Sequence, residues 1–194
     1  MHPNPTLRYS ITPTLYSTPA LASEIFCMLR LYTSEIFEGI RIRGGSEFLL
    51  RTQEALALLR PTSRFAEIRS NLGLIRQGKR SGMKAWAEAP TFIVGKRTWK
   101  HSALWYAGAI AHDAHHAKLY ADAKKTHRGQ EPEADSWTGT EAEKKCLAFQ
   151  RQVLLELKAD EKIISYLDEC RKNPTYQGHN RGWKSWLDYL KRWW

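Results

Sequence analysis

Phe48, Leu49, Ala55, Leu56 and Leu59 recur at helical spacing between Ser46 and the stop at Pro61, which places one apolar face on a helix. Phe65, Ile68, Leu72 and Ile75 repeat the period from Ser63 and predict a second amphipathic helix. Ahead of both, Ile36, Glu38, Ile40 and Ile42 alternate incompletely around Gly39 and end at Gly44 and Gly45, the pattern of one interrupted strand. The stretch from Gly78 to Gly82 reads as a turn, and Pro90, Thr91, Phe92, Ile93, Val94 and Gly95 as a strand bounded by turn residues. Residues 99–120 follow as a helix with Ala, Leu, Trp and Ile dense in its first half and charge confined to its second, so this helix is expected to be central. A polar loop of about 20 residues then leads to a helix over 139–158. Two more helices are expected over 160–172 and 183–194.

Residues 1–20 hold Pro3, Pro5, Pro13 and Pro19 among threonines and serines and read as an extended arm. Residues 21–194 then form a single domain, opening with a short helix over 20–31. The expected class is α+β, mostly helical, with a small sheet preceding the central helix.

Composition changes this picture in one respect. With 42% hydrophobic and 26% charged residues in 194, the chain has the make-up of an ordinary globular domain, which excludes disordered and fibrous classes. Its formal charge of +10 and pI near 9.6 are less ordinary and favour an acidic partner, nucleic acid or another anionic surface. Lys124, Lys125, Arg128, Lys144, Lys145 and the Trp- and Lys-rich C-terminus are the candidate surface for it. The most apolar run, 104–111, is too short to span a bilayer, and no apolar core followed by a cleavage site opens the chain. A cytoplasmic location is therefore the default expectation, with export by a route lacking a cleavable signal left open. Cys27, Cys146 and Cys170 are widely separated, show no zinc-knuckle spacing and are expected to be buried free thiols.

The candidate chemistry lies on the central helix. His112 and His116 stand four residues apart, so both imidazoles reach one ion from one helical face. That face also carries Trp105, Gly108, Ala109 and Leu119, so the pair points inward, where an unpartnered imidazole is costly. A zinc site needs a third ligand. In the helix over 139–158, Cys146, Leu147, Gln150, Val153, Leu154 and Leu157 form an apolar stripe, and Glu143 lies on its side while Glu141 lies opposite. Thr138 and Thr140 each precede a glutamate at capping-box spacing, so either glutamate could be a cap. Glu143 leads as third ligand, with Glu141, Glu133 and His127 as alternatives. His115 reads as a neighbour of the pair.

Ala109, Ile110, Ala111, His112, Asp113, Ala114, His115 and His116 together resemble the active-site helix of the zincin metallopeptidases, with Asp113 where the glutamate of H-E-x-x-H stands. The glutamate on the next helix makes the resemblance gluzincin-like, and the element order over 36–158 is similar to that of minimal bacterial metallopeptidases. The resemblance implies a small zincin-like domain with Zn2+ on His112, His116 and Glu143, and Asp113 as the base that takes a proton from water. It also implies a peptide or protein substrate paired with the strand Thr91, Phe92, Ile93 and Val94. Tyr120, Tyr176 and His179 are candidate oxyanion donors. Asp113 is one methylene shorter than glutamate, so a zinc-binding pseudoenzyme stands beside the peptidase, and a basic binding module for nucleic acid or anionic surfaces is the third class.

Overall fold

A computed structural model of the chain describes residues 33–172. Within them two consecutive positive-φ residues, Glu38 (φ 52°) and Gly39 (φ 82°), fold what reads as one strand into a hairpin. Strand β1 (Thr33–Phe37) pairs antiparallel with β2 (Ile40–Gly44). The interruption at Gly39 is thus a two-residue turn, and each arm is short enough to be mistaken for half a strand.

Helix α1 (Ser46–Leu59) buries Phe48, Leu49, Thr52, Ala55, Leu56 and Leu59, the face expected from the spacing. The next helix departs from expectation. Helix α2 (Phe65–Asn71) ends before Leu72, whose backbone is extended, and Ile75 belongs to strand β3 (Leu74–Gly78). Gly73 forces the break: a Cβ there would sit 3.0 Å from the Cβ of Ala89 and 3.2 Å from its Cα, so the chain passes too close to the 85–90 segment for a helical side chain. Strand β4 (Gly82–Lys84) is only three residues long, and β5 (Thr91–Gly95) is the strand expected after Pro90.

The five strands run in the order β1, β2, β3, β5, β4, with β2, β3 and β5 mutually parallel and β1 and β4 antiparallel at the two edges. One face carries Ile40, Ile42, Ile75, Phe92 and Val94, each fully buried. Against it pack α1 and a long helix, giving the α+β class. That helix does not start at Trp99. A short α3 (Lys96–Trp99) comes first, and α4 (Ala103–Thr126) begins after Ser102, whose hydroxyl accepts the Trp105 N–H at 3.1 Å as an N-cap. Then come a short α5 (Asp135–Thr138), α6 (Thr140–Glu156) and α7 (Glu161–Lys172). Trp105, Leu147, Leu154, Ile164 and Leu167 close a second cluster among α4, α6 and α7. Among the described residues no helix is long and apolar enough to cross a membrane. The arm over 1–20, the helix over 20–31 and the helix over 183–194 lie outside the described residues.

Candidate metal centre

The Ser102 cap fixes the rotation of α4, and ten residues further on its inward face brings His112 and His116 together against α6. Their Nε2 atoms are 3.1 Å apart, and the rings meet edge to face at 4.9 Å between centroids. Glu143, on the first turns of α6, is wholly buried and spans the pair: Oε2 lies 3.1 Å from His116 Nε2 and Oε1 lies 3.3 Å from His112 Nε2. Neither capping box forms. The Thr138 hydroxyl donates to the Ala134 carbonyl, α6 has no side-chain cap, and Glu141 faces solvent in a 2.7 Å ion pair with Lys144. Glu143 is turned inward, with both carboxylate oxygens within reach of the histidines.

The outer nitrogens of both rings are already committed. His116 Nδ1 is 2.7 Å from the Trp137 carbonyl, which can only accept, so Nδ1 carries the proton. His112 Nδ1 lies 3.1 Å from Gln150 Oε1 and donates in the same way, with Gln150 itself buried in the helix interface. Both Nε2 atoms then present lone pairs to each other and to a carboxylate. With both rings neutral, three acceptors converge on one point, an arrangement that favours a cation or a proton between them. A tetrahedral zinc with Zn–N of about 2.05 Å separates two ligand nitrogens by about 3.3 Å, and the separations of 3.1, 3.1 and 3.3 Å sit close to that edge. The donor set fits the ion.

Without an ion a proton takes that place, on His116 Nε2 against the Glu143 carboxylate. Burial works to lower the His116 pKa, yet hydrogen bonds to Cys146 and Glu143, with the charges of Cys146 and Asp113, push it up to about 11. Cys146, read from the sequence as one more apolar position of the stripe, proves to be part of the cluster: its Sγ and a ring nitrogen of each histidine all lie within 4.8 Å of one another. Its three-residue spacing from Glu143 is the only trace of this in the sequence.

Close approach of the two helices depends on Gly108, one turn before His112. A Cβ at Gly108 would lie 2.9 Å from Leu154 Cδ1 and 3.2 Å from Gln150 Nε2. His115 points elsewhere: it stacks on Phe149 at 4.5 Å and reaches Glu67 at 3.3 Å, tying α4 to α2. His127 bonds back to the Ala123 carbonyl at 2.7 Å, and Glu133 is exposed, so neither reaches the centre.

Two cavities meet at the centre and share Ser81, His112 and Asp113. The first, of about 150 Å3, is walled by Trp105, Leu147, Tyr166 and Leu167, with Glu143 and Phe92 on its lining. The second, of about 430 Å3, runs between β4 and α5 past Gly82, Met83, Trp86 and Trp137 to His116. Asp113 takes no hydrogen bond among the described residues. Its pKa is pushed up to about 6, chiefly by burial, against the opposing charges of His112 and His116 and with help from Glu143.

Two expectations are corrected by this geometry. Thr91, Phe92 and Ile93 do not offer a free backbone edge to a substrate, because over these three residues β5 is paired on both sides, with β3 and with β4, and Val94 beyond them is buried and paired with β3. Phe92 alone of the four lines a cavity. Tyr120 lines neither cavity: its hydroxyl donates to Glu131 Oε2 at 2.7 Å, and its ring packs on Trp137. Tyr176 and His179 lie outside the described residues. No family model, no curated protein and no solved structure matches this chain.

Proposed function

We propose that this chain is a zinc-dependent hydrolase of the metallopeptidase kind, with His112, His116 and Glu143 holding the ion and Asp113 acting as base. The observation that carries the reading is the convergence of two Nε2 lone pairs and a carboxylate, each ring locked by a carbonyl acceptor on its far side. Zinc, when bound, supplies Lewis acidity and an acidified water. Asp113 supports the rest. It stands where both cavities meet, its carboxylate has no competing partner among the described residues, and its raised pKa brings it nearer the range in which a carboxylate moves protons at neutral pH. Trp105, Leu147, Tyr166 and Leu167 make one side of the site apolar. A peptide backbone would pair with β4 rather than β5, since β4 is the sheet edge and its Gly82 and Met83 line the second cavity.

Elemental analysis of the purified chain beside a His112→Ala variant tests the centre. About one zinc per chain is expected in the first and none in the second. Wild-type protein that neither carries zinc nor takes it up at micromolar concentration refutes it. Zinc-loaded protein that cleaves nothing in casein or a mixed-peptide library leaves the pseudoenzyme.

A second activity, binding of a polyanion such as nucleic acid, is favoured by the sheet. The row Ile36, Arg41, Leu74, Thr91, Lys84 and the row Ser34, Arg43, Arg76, Ile93, Gly82 share the face opposite the core. Arg41, Arg43, Arg76 and Lys84 form no ion pair among the described residues, and no acidic residue stands in either row. Binding to a nucleic acid that weakens steeply with salt, and weakens again on Arg41→Glu with Arg43→Glu, is the expected result. Salt-insensitive or absent binding removes this reading.

A further inference from the structure

We propose that Cys146 is a fourth ligand of the metal, so that the centre is built from two histidines, one glutamate and one thiolate. This rests on the metal reading above and adds to it the deep side of the coordination sphere. Glu143 and Cys146 stand three residues apart on α6, both with no exposed surface, and face the two histidines of α4. The sulfur and the ring nitrogens already fall within 4.8 Å of one another. A tetrahedral zinc, with Zn–S of about 2.3 Å and Zn–N of about 2.05 Å, separates sulfur from nitrogen by about 3.5 Å. Side-chain adjustment of about an ångström closes the difference.

Position divides the four donors. His112 and Glu143 line the cavities, whereas Cys146 is fully buried and lines neither. Sulfur therefore takes the buried vertex and the carboxylate the one that faces the opening, so with all four donors bound a water would have to displace the Glu143 carboxylate or enter as a fifth ligand. Charge supports the same set. A dication held by two neutral imidazoles and one carboxylate leaves a net positive charge in a buried place. A thiolate cancels it, and the thiol's proton leaves to solvent as the Zn–S bond forms. Buried cysteines are by default small hydrophobes, but this one hydrogen-bonds the His116 imidazole within the field of the Glu143 carboxylate. A sulfur ligand also narrows the choice of ion, since thiolate favours zinc and cobalt over magnesium or manganese.

Cobalt reports on both halves of the claim. The full chain is freed of metal, loaded with Co2+, and its spectrum read in the visible and the near ultraviolet. Wild type is expected to show four-coordinate visible bands together with an intense near-ultraviolet sulfur-to-cobalt charge-transfer band. Cys146→Ser should lose the second and retain the first, with zinc affinity at least tenfold weaker. X-ray absorption of the zinc-loaded wild type needs no variant and should find one sulfur at about 2.3 Å. Visible bands with no charge-transfer band, and nitrogen and oxygen scatterers only, overturn the sulfur ligand while leaving the metal centre standing. No cobalt or zinc uptake overturns the centre, and the sulfur ligand with it.

Discussion

Gln150 offers the sharpest test of how the centre is held, because it touches no ion and acts only through His112. Gln150→Ala removes the acceptor 3.1 Å from His112 Nδ1 and leaves that N–H buried without a partner. Loss of such an outer partner typically lowers metal affinity about 10- to 100-fold, which is about 1.4 to 2.7 kcal/mol. At zinc concentrations that saturate both proteins, the stabilisation conferred by the ion should shrink by the same amount. For a chain of this size the zinc-induced rise in Tm should then fall by about 3 to 11 °C. The variant also loses packing and a hydrogen bond in the apo state, so the quantity to compare is the difference between apo and zinc-loaded melts, beside a competition titration against a fluorescent chelator. Gln150→Glu keeps the acceptor and adds charge, and should hold zinc as tightly as wild type or more so. Glu141→Gln, on the solvent side of α6, should change nothing. A Gln150→Ala protein that binds zinc within twofold of wild type would mean that His112 is oriented by something else.

Gly108→Ala gains helix propensity of about 1 kcal/mol but sets a methyl 2.9 Å from Leu154 Cδ1 and 3.2 Å from Gln150 Nε2, so zinc affinity should drop even where Tm does not; unchanged affinity would show the helices free to part. Asp113→Asn should leave zinc bound and abolish hydrolysis, measured as metal content beside casein turnover, and residual activity near wild type would remove Asp113 as base. Glu156 accepts both the N–H and the hydroxyl of Ser63 at 2.7 Å, which holds its pKa below the usual glutamate value. A depressed carboxylate contributes stability that is present above its unfolded pKa and lost as pH falls through its folded one. Glu156→Gln should therefore cost about 1 kcal/mol at neutral pH, modest because the group is exposed. The gap between the variant and wild type in urea melts should close below the normal glutamate pKa of about 4.3. A gap that persists at pH 3 would contradict the assignment.

The helical phase of the chemistry was legible in the sequence, since spacing alone puts His112 beside His116 and turns Glu143 inward while Glu141 turns out. What hid was whatever imitates the wrong period. Ile75 continues the three-and-four spacing of Phe65, Ile68 and Leu72, yet Gly73 ends the helix because Ala89 lies against it, a contact that only the folded chain creates. Strand β4 has three residues and no alternation to detect, and its pairing is what makes β5 an interior strand. Cys146 behaves in a pattern as a small apolar residue, so its place among the stripe concealed its place in the cluster. The roles of Gln150 and of the Trp137 carbonyl had no sequence signal at all, because an acceptor for an imidazole can come from any backbone or amide.

His112, His115 and His116 each meet a different wall: Gln150 of α6, the Glu67 and Phe149 pair, and the Trp137 carbonyl. A single angular setting of α4 satisfies all three, and Ser102 sets it by deciding where the helix begins. One residue inserted between 103 and 111 would turn everything beyond it by about 100° and detach every histidine from its wall in a single step. Residues 128–130 are exposed and their backbone bonds stay within the local turn, so added residues there should be tolerated. The chain's length is thus fixed to the residue over one short stretch and loose over another, and a library of single insertions should show the centre as a sharp gap in what the protein accepts.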